Sequence, residues 1–150
     1  MLFCASLWLT DVLLRAWSKR ILSCVLSRLL SIGFAGFIGT LLRYWLSGVV
    51  ARRYGETFPF GTLIVNLVGC FVIGFLFYFF YDRALAGPTS RTTIFIGLLG
   101  GFTTFSSYGL QTFTLLRDGE LLLALANVAV SNVVGLALVW LGYSLAKVIA

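Results

Sequence analysis

The sequence contains no histidine, and this absence narrows the chemistry that the chain can carry out. Without histidine, and with Cys4, Cys24 and Cys70 showing no paired spacing, there is no pattern for a zinc or haem site. The chain also offers no Ser-His-Asp, Cys-His or paired-carboxylate arrangement that could support catalysis. We therefore expect that the protein is not an enzyme.

Acidic residues are few, and all of them fall outside the interiors of the expected membrane crossings. They are Asp11, Glu56, Asp82, Asp118 and Glu120. Proton-coupled pumps and exporters usually carry the proton on an acidic residue or a histidine inside the membrane. The absence of such a group argues against a coupled transporter, such as a small four-helix multidrug antiporter.

Apolar residues, in contrast, are abundant. Of the 150 residues, 60% are hydrophobic and 11% are charged, and the mean hydropathy is +1.02. This composition indicates an all-α membrane protein with no room for a separate soluble domain. The formal charge of +6 could suggest nucleic acid, but the basic residues lie at segment ends, as is typical beside membrane crossings. We expect a multi-pass protein of the cell membrane, in contact with the lipid bilayer, that binds no nucleic acid.

Four apolar stretches are long enough to cross a bilayer, at about 20 residues per crossing. They are Leu29–Val50, Pro59–Tyr81, the run between Arg91 and Arg117, and Leu121–Leu145. Residues 1–28 form an N-terminal extension that is too short and too interrupted for a crossing. We interpret it as an interfacial helix, or as a segment upstream of the true start of translation, since Met1 is the only methionine. We assign it no function.

The third stretch has an unusual composition for a membrane crossing. Gly97, Gly100 and Gly101 weaken a helix. Four hydroxyl side chains that can compete for backbone hydrogen bonds follow, namely Thr103, Thr104, Ser106 and Ser107. Freed backbone groups at that depth are tolerated only within protein or along a polar pathway. We therefore predict that the third helix is broken in mid-membrane to form a site, because close packing through small residues would explain the glycines but not the hydroxyls.

The second and fourth stretches each carry a polar track. Thr62 and Asn66 share one face of the second stretch, and Asn127 and Ser131 share one face of the fourth. Asn66 either bonds to a neighbouring helix as a structural contact or offers its two N–H donors to an anion. Asn132 lies off the fourth track, and the sequence does not assign it a role.

Arg43 lies near the end of the first stretch. Its long side chain either extends to the membrane interface or lines a water-filled vestibule, where its charge would raise the local concentration of anions. The two interpretations are compatible.

Three motifs occur in a fixed order along the chain. They are Gly36-x-x-Gly39-x-x-x-Arg43-Tyr44, Pro59-x-Gly61-Thr62-Leu63-x-Val65-Asn66, and Gly97-x-x-Gly100-Gly101-x-Thr103-Thr104-Phe105-Ser106. Together with the four crossings, these motifs resemble the CrcB/Fluc family of fluoride channels. The resemblance covers about residues 30–147 and leaves the extension out. Any one motif would be a weak signal, whereas the three in order and spacing are specific.

The resemblance implies that residues 29–150 form a four-helix channel domain and that two copies assemble as an antiparallel, dual-topology homodimer with two pores. It also implies a structural Na⁺ ion at the dimer centre, held by the backbone carbonyls of Gly100 and Thr103. The implied fluoride pathway comprises Asn66, Phe105, Tyr108, Thr62, Ser131, Ser106 and Thr104, with Arg43 at the entrance. The sequence departs from the family pattern at Tyr108, where Phe is usual, and at Asn127, where Tyr is common.

The chemistry of these residues fits fluoride. Fluoride is small and strongly hydrated, so it can leave water only where other donors replace its hydration shell, and amide and hydroxyl groups supply such donors. The edges of aromatic rings are electropositive and can face an anion. An inside-negative membrane expels a monovalent anion with about 2.3 kcal/mol per 100 mV, so a passive channel can serve as an exporter.

The distribution of basic residues is compatible with insertion in both orientations. Arg28, Arg83, Arg91 and Lys147 lie on one side of the four crossings, and Arg52, Arg53 and Arg117 lie on the other. Four against three gives little preference under the positive-inside rule. Counting Arg15, Lys19 and Arg20 of the extension as well would favour one orientation.

Two other functions are considered. A small multidrug-type coupled exporter would need an intramembrane carboxylate, which the expected crossings lack. A non-transporting membrane assembly subunit would use its glycines only for packing.

Overall fold

The computed structural model describes the backbone of residues 2–55 and 57–150, and side chains from residue 22 onward, residue 56 excepted. Every regular element in this part of the chain is helical. The helices are α1 (Leu2–Tyr54), α2 (Phe60–Phe77), α3 (Pro88–Thr92), α4 (Gly100–Phe102), α5 (Phe105–Arg117) and α6 (Leu121–Ile149). Two wider π-helical stretches, Tyr78–Asp82 and Thr93–Leu99, continue α2 and α3 respectively.

Four helical segments are long and apolar enough to span a membrane: Leu22–Tyr54, Phe60–Asp82, Pro88–Arg117 and Leu121–Ile149. The expected all-α architecture with four crossings is therefore confirmed. The first, third and fourth segments extend beyond the apolar stretches from which they were predicted, because a helix continues through interfacial residues until a turn ends it, whereas the second is shifted by one residue. Gly55 and Gly119, with φ of +78° and +82°, follow the first and third segments and adopt the left-handed conformation that favours glycine.

The first segment begins within the N-terminal extension. Helix α1 runs without interruption from Leu2 to Tyr54, so residues 22–28 continue directly into the first crossing. The side chains of residues 2–21 lie outside the part of the chain that is described, and the interfacial position expected for residues 1–28 stays a prediction.

Glycines allow the backbone of α1 to lie directly against the third segment. A Cβ atom at Gly97 would stand 2.8 Å from the Ile32 carbonyl oxygen, and one at Gly101 would stand 2.5 Å from the Gly36 carbonyl oxygen. A Cβ at Gly39 would clash with the Leu98 carbonyl. The packing explanation for Gly97 and Gly101 is therefore correct, and these two glycines bring helices together.

Helices α2 and α6 meet along a second glycine contact, which we call the α2–α6 seam. A Cβ at Gly74 would clash with the Val139 carbonyl, and a Cβ at Gly142 would clash with the Phe71 carbonyl. A Cβ at Gly135 would lie 3.4 Å from the Cys70 sulfur. Small residues that let backbones approach are a general device of membrane helices. The seam fixes α6, and with it Ser131 and Asn132, beside α2.

The outer surface is strongly apolar. Large hydrophobic side chains are exposed along all four segments, including Phe34 and Phe37 on α1, Phe113 on α5 and Leu136 on α6. Such a surface is suited to lipid or to another apolar protein face. With the four spans, it makes the chain a multi-pass membrane protein.

Candidate functional site

The third segment is interrupted at two threonines. Helix α4 ends at Phe102, and Thr103 (φ −88°, ψ 160°) and Thr104 (φ −151°, ψ 115°) are extended before α5 begins at Phe105. The Thr104 hydroxyl accepts a hydrogen bond from the Ser107 backbone N–H at 3.3 Å and so caps α5. One member of the hydroxyl run that the sequence marked as unusual, Thr104, therefore caps the helix that begins after the interruption. The interruption is narrower than the predicted one, because the glycines before it remain helical.

Asn66 of α2 bonds to both backbone groups of Thr104. Its side-chain Nδ2 donates to the Thr104 carbonyl at 3.1 Å, and its Oδ1 accepts from the Thr104 N–H at 2.9 Å. A side-chain amide here replaces the helical partners that Thr104 lacks. The structural contact considered for Asn66 is thus formed. An amide NH₂ has two hydrogens, so Asn66 keeps one donor for a further acceptor.

The interruption frees two carbonyl oxygens from their helical bonds. In a continuous helix, the Thr104 N–H would donate to Gly100 and the Ser107 N–H would donate to Thr103. Here those N–H groups donate to Asn66 Oδ1 and to Thr104 Oγ1 instead. Oxygen atoms released in this way are the donor type that hard cations prefer. Gly100 and Thr103, the two predicted Na⁺ ligands, are therefore chemically suitable for one.

Side-chain metal ligands do not gather in the part of the chain that is described. No group of three or more His, Cys, Asp or Glu side chains comes together there. A cation at the interruption would consequently depend on backbone oxygens.

A cavity of about 330 Å³ adjoins the interruption. It brings together seven of the ten predicted site residues, namely Asn66, Gly100, Thr103, Thr104, Phe105, Tyr108 and Ser131. The residues lining this cavity include neither a carboxylate nor a cationic side chain. Its polar groups are instead amides, hydroxyls and backbone groups, which suit an ion that must be held by hydrogen bonds.

Three side chains of the cavity have groups left available for a ligand. Phe105 and Tyr108 lie on one face of α5 with ring centroids 5.4 Å apart, and Phe105 is 82% exposed. The Ser131 hydroxyl oxygen is buried and has no hydrogen-bond partner among the residues described. A buried hydroxyl without a partner is costly, so a ligand or water at this position would be stabilising.

The remaining predicted residues lie elsewhere. Thr62 lines a second cavity of about 760 Å³, together with Tyr44 and Gln111, at the end of α2 nearer Asp118. Ser106 is exposed, and its hydroxyl lies 3.3 Å from that of Thr104. Arg43 is half-buried and lines neither of these two cavities, although the next residue, Tyr44, lines the larger one.

The two asparagines of α6 have separate roles. Asn127 is 2% exposed, and its amide donates to the Thr112 hydroxyl at 2.8 Å, which joins α6 to α5 away from the cavity. Asn132, which the sequence left without a role, lines the cavity, and its amide lies 3.4 Å from the Tyr108 hydroxyl. The only sequence signal for Asn132 was a polar residue beside Ser131 in an apolar helix.

Comparison with known proteins adds an independent observation. The family described as "CrcB-like protein, Camphor Resistance (CrcB)" matches residues 30–143. A protein of Citrifermentans bemidjiense named "Fluoride-specific ion channel FluC" is 47% identical over 122 residues, which cover 81% of this chain and 98% of that protein. Proteins of the same name from Opitutus terrae and Aquifex aeolicus are 51% and 46% identical, over 79% and 78% of this chain and 91% and 94% of their own lengths.

Proposed function

Because this chain belongs to the CrcB family, we propose that it is a fluoride-specific ion channel that lowers cytoplasmic fluoride by passive export across the cell membrane. The observation that carries the proposal is the 330 Å³ cavity at the helix interruption. Its lining supplies hydrogen-bond donors and aromatic rings but neither an acid nor a base. A conducting site must bind an ion well enough to replace its water and weakly enough to release it. Neutral donors meet both needs, whereas a fixed positive charge would hold fluoride too tightly.

The pathway begins with donors that are already oriented. Asn66 is fixed by its two bonds to Thr104, so its second amide hydrogen has a defined direction. The Ser131 hydroxyl, which has no other partner among the residues described, supplies a further donor. The electropositive ring edges of Phe105 and Tyr108 complete the path. Thr62 and Arg43 would act nearer the aqueous entrance, and Ser106 and Thr104 would act beside the interruption.

Fluoride export through such a path needs no coupled proton. The sequence has no histidine, and the described carboxylates Asp82, Asp118 and Glu120 lie at or beyond the ends of the helical spans. The membrane potential alone drives a monovalent anion outward, with about 2.3 kcal/mol per 100 mV. This argument favours a channel over a coupled multidrug-type exporter.

A second copy of the chain, inserted in the opposite orientation, would complete the site. Phe105 is 82% exposed in the single chain, although its proposed role requires a confined path. Gly100, whose carbonyl has lost its helical partner, is exposed as well. A partner protomer against this face would cover both, and the near balance of basic residues permits either orientation. The helix interruption would then lie in mid-membrane, where backbone groups must be satisfied by protein or by an ion.

Na⁺ at the dimer centre fits the oxygens of Gly100 and Thr103 from each protomer. Such a cation would hold the two protomers together and raise the local potential for anions. Asn66 bonds the interruption to α2 and leaves the Gly100 carbonyl free by accepting from the Thr104 N–H. The Thr104 hydroxyl leaves the Thr103 carbonyl free by accepting from the Ser107 N–H.

Fluoride release from liposomes tests the proposal. The purified protein is reconstituted into vesicles loaded with potassium fluoride, and external fluoride is followed with an electrode after valinomycin is added. We expect rapid release that depends on valinomycin, because charge must be compensated, and little release of chloride from matched vesicles. Protein-free vesicles provide the control.

Three outcomes would contradict the proposal. Release that requires an imposed proton gradient would indicate a coupled exporter. The absence of any anion release would indicate a non-transporting subunit. Equal release of chloride and fluoride would show that the channel is not specific for fluoride.

A further inference from the structure

The pairing of Tyr108 with Asn132 places an additional oriented donor in the cavity. The amide nitrogen of Asn132 lies 2.7 Å from the Val128 carbonyl oxygen and 3.4 Å from the Tyr108 hydroxyl oxygen. The first contact joins Asn132 to its own helix, and the second reaches across to α5. Both Tyr108 and Asn132 line the cavity that contains Asn66, Phe105 and Ser131.

The contact with Val128 determines which atom of the Asn132 amide faces Tyr108. A backbone carbonyl only accepts hydrogen bonds, so the atom 2.7 Å from it must be the nitrogen and not the oxygen of the amide. The same nitrogen is the atom nearest the Tyr108 hydroxyl. An amide NH₂ donates and does not accept. The Tyr108 oxygen must therefore be the acceptor in this pair.

The direction of the tyrosine hydrogen follows from this assignment. Because conjugation keeps a phenol O–H in the plane of its ring, the hydrogen has two favoured positions, one on each side of the C–O bond. Because Asn132 donates to the Tyr108 oxygen, the hydroxyl hydrogen is expected at the position that points away from Asn132. Among the residues described, no acceptor for that hydrogen is found. Donation to the oxygen also polarises the O–H bond and strengthens it as a donor.

We propose that Tyr108 donates a hydrogen bond to the anion in the cavity and that Asn132 is the positioning residue that turns the hydroxyl hydrogen toward it. This inference rests on the proposed function and adds a residue to it. The ligand is a small anion that accepts a strong hydrogen bond, for which fluoride is the natural candidate. The pair gives this chain a tighter holding site than a phenylalanine at position 108 would provide.

Concentration dependence of fluoride efflux tests the pair. Initial efflux is measured against internal fluoride for the unaltered chain, for Tyr108→Phe, for Asn132→Leu and for the double variant. A hydrogen bond to an ion is worth about tenfold in binding, so we expect Tyr108→Phe to raise the half-saturating fluoride concentration about tenfold without lowering the maximal rate. Asn132→Leu should raise it by a smaller factor, because the free hydroxyl still points toward the cavity part of the time.

The double variant separates positioning from a structural role. If Asn132 acts through the hydroxyl, Asn132→Leu should have no further effect once Tyr108 is phenylalanine. If Asn132 serves only its own helix through Val128, it should have the same effect in both backgrounds, and that result would overturn the proposal. Val133→Leu, an exposed neighbour on α6 that does not line the cavity, is the matched control.

If the Asn132 variants fold poorly, Tyr108→Phe alone still tests the proposal, because it removes only the hydroxyl group. An unchanged half-saturating concentration in Tyr108→Phe would exclude donation by Tyr108, while normal efflux by the unaltered chain would leave the channel function standing. Absence of efflux from the unaltered chain would instead reject the channel and this inference together.

Discussion

Helix α2 contacts α6 and the interruption of the third segment in opposite ways. Along the α2–α6 seam, Gly74 and Gly142 remove side chains so that two backbones touch, and each backbone keeps its own helical bonds. At the interruption, Asn66 does the reverse, because it supplies hydrogen bonds to a backbone that has lost its own. Shape therefore forms the α2–α6 seam, whereas side-chain hydrogen bonds form the contact at the interruption, which is where we propose that the ion is bound. The two contacts should consequently fail in different ways.

The largest expected effect is at the polar contact. Asn66→Asp replaces the donor to the Thr104 carbonyl with an oxygen that repels it, and it adds a negative charge beside the anion. Two like charges about 4 Å apart repel by about 4 kcal/mol at an effective dielectric of about 20, so we expect fluoride efflux to fall roughly a thousandfold. The liposome assay measures this, with gel filtration to confirm that the protein is monodisperse. Normal efflux would remove Asn66 from the path.

The seam should respond to added volume by losing stability. Gly142→Ala places a Cβ against the Phe71 carbonyl, and overpacking of this kind costs about 1–3 kcal/mol. Gly33→Ala is the matched control, because a Cβ at Gly33 meets no atom within 4 Å. Thermal unfolding followed by circular dichroism should show a lower midpoint for Gly142→Ala only. Equal unfolding temperatures for the two variants would mean that the α2–α6 seam shifts enough to accommodate the added methyl group.

Phe105→Ile separates conduction from folding at the interruption. Isoleucine has no electropositive ring edge to face an anion. The lost contact between the ring edge and the anion should be worth about 1.4 kcal/mol, which corresponds to about tenfold in rate. We expect efflux to fall by that factor, while the elution volume and helix content stay unchanged, because isoleucine keeps an apolar side chain at a position with few contacts inside its own protomer and able to pack against a partner. Unchanged efflux would show that the Phe105 ring does not interact with fluoride on its path.

The smallest effect is expected at Asn127. Its partner, the Thr112 hydroxyl, also donates to the Tyr108 carbonyl at 2.8 Å, so loss of the asparagine leaves that hydroxyl with a bond. Polar bonds between membrane helices average about 0.6 kcal/mol, and Asn127→Leu should lower the free energy of unfolding by about that amount, with efflux little changed. A large loss of stability would show that polar contacts contribute to the scaffold as well, which would weaken the contrast between the two regions.

Much of this architecture could be predicted from the sequence because hydropathy follows directly from composition. Four crossings and membership of the CrcB family are confirmed. The motif around Thr103 and Thr104 correctly marked where the third helix is interrupted. These features depend on local residue types and on their order, both of which a single sequence records.

The features that could not be predicted depend on contacts between distant residues. The sequence left Asn66 between two roles, because only the fold brings it to Thr104, 38 positions away. It assigned Thr62 and Ser131 to one pathway, although they line different cavities in the single chain. It gave Asn132 no role, since the partner that explains it lies on another helix. The pathway residues themselves, the Na⁺ ion and the dimer stay predictions.

The bond between Asn66 and Thr104 also has a consequence for how the chain is made. Synthesis proceeds from the N-terminus, so α2 has already left the ribosome when the third segment enters the bilayer. The N–H and C=O groups of Thr104 can therefore bond to the Asn66 side chain as they enter the bilayer, and they need not cross lipid without hydrogen bonds. An asparagine placed after the interruption, in α6, would have left that segment unprotected during insertion.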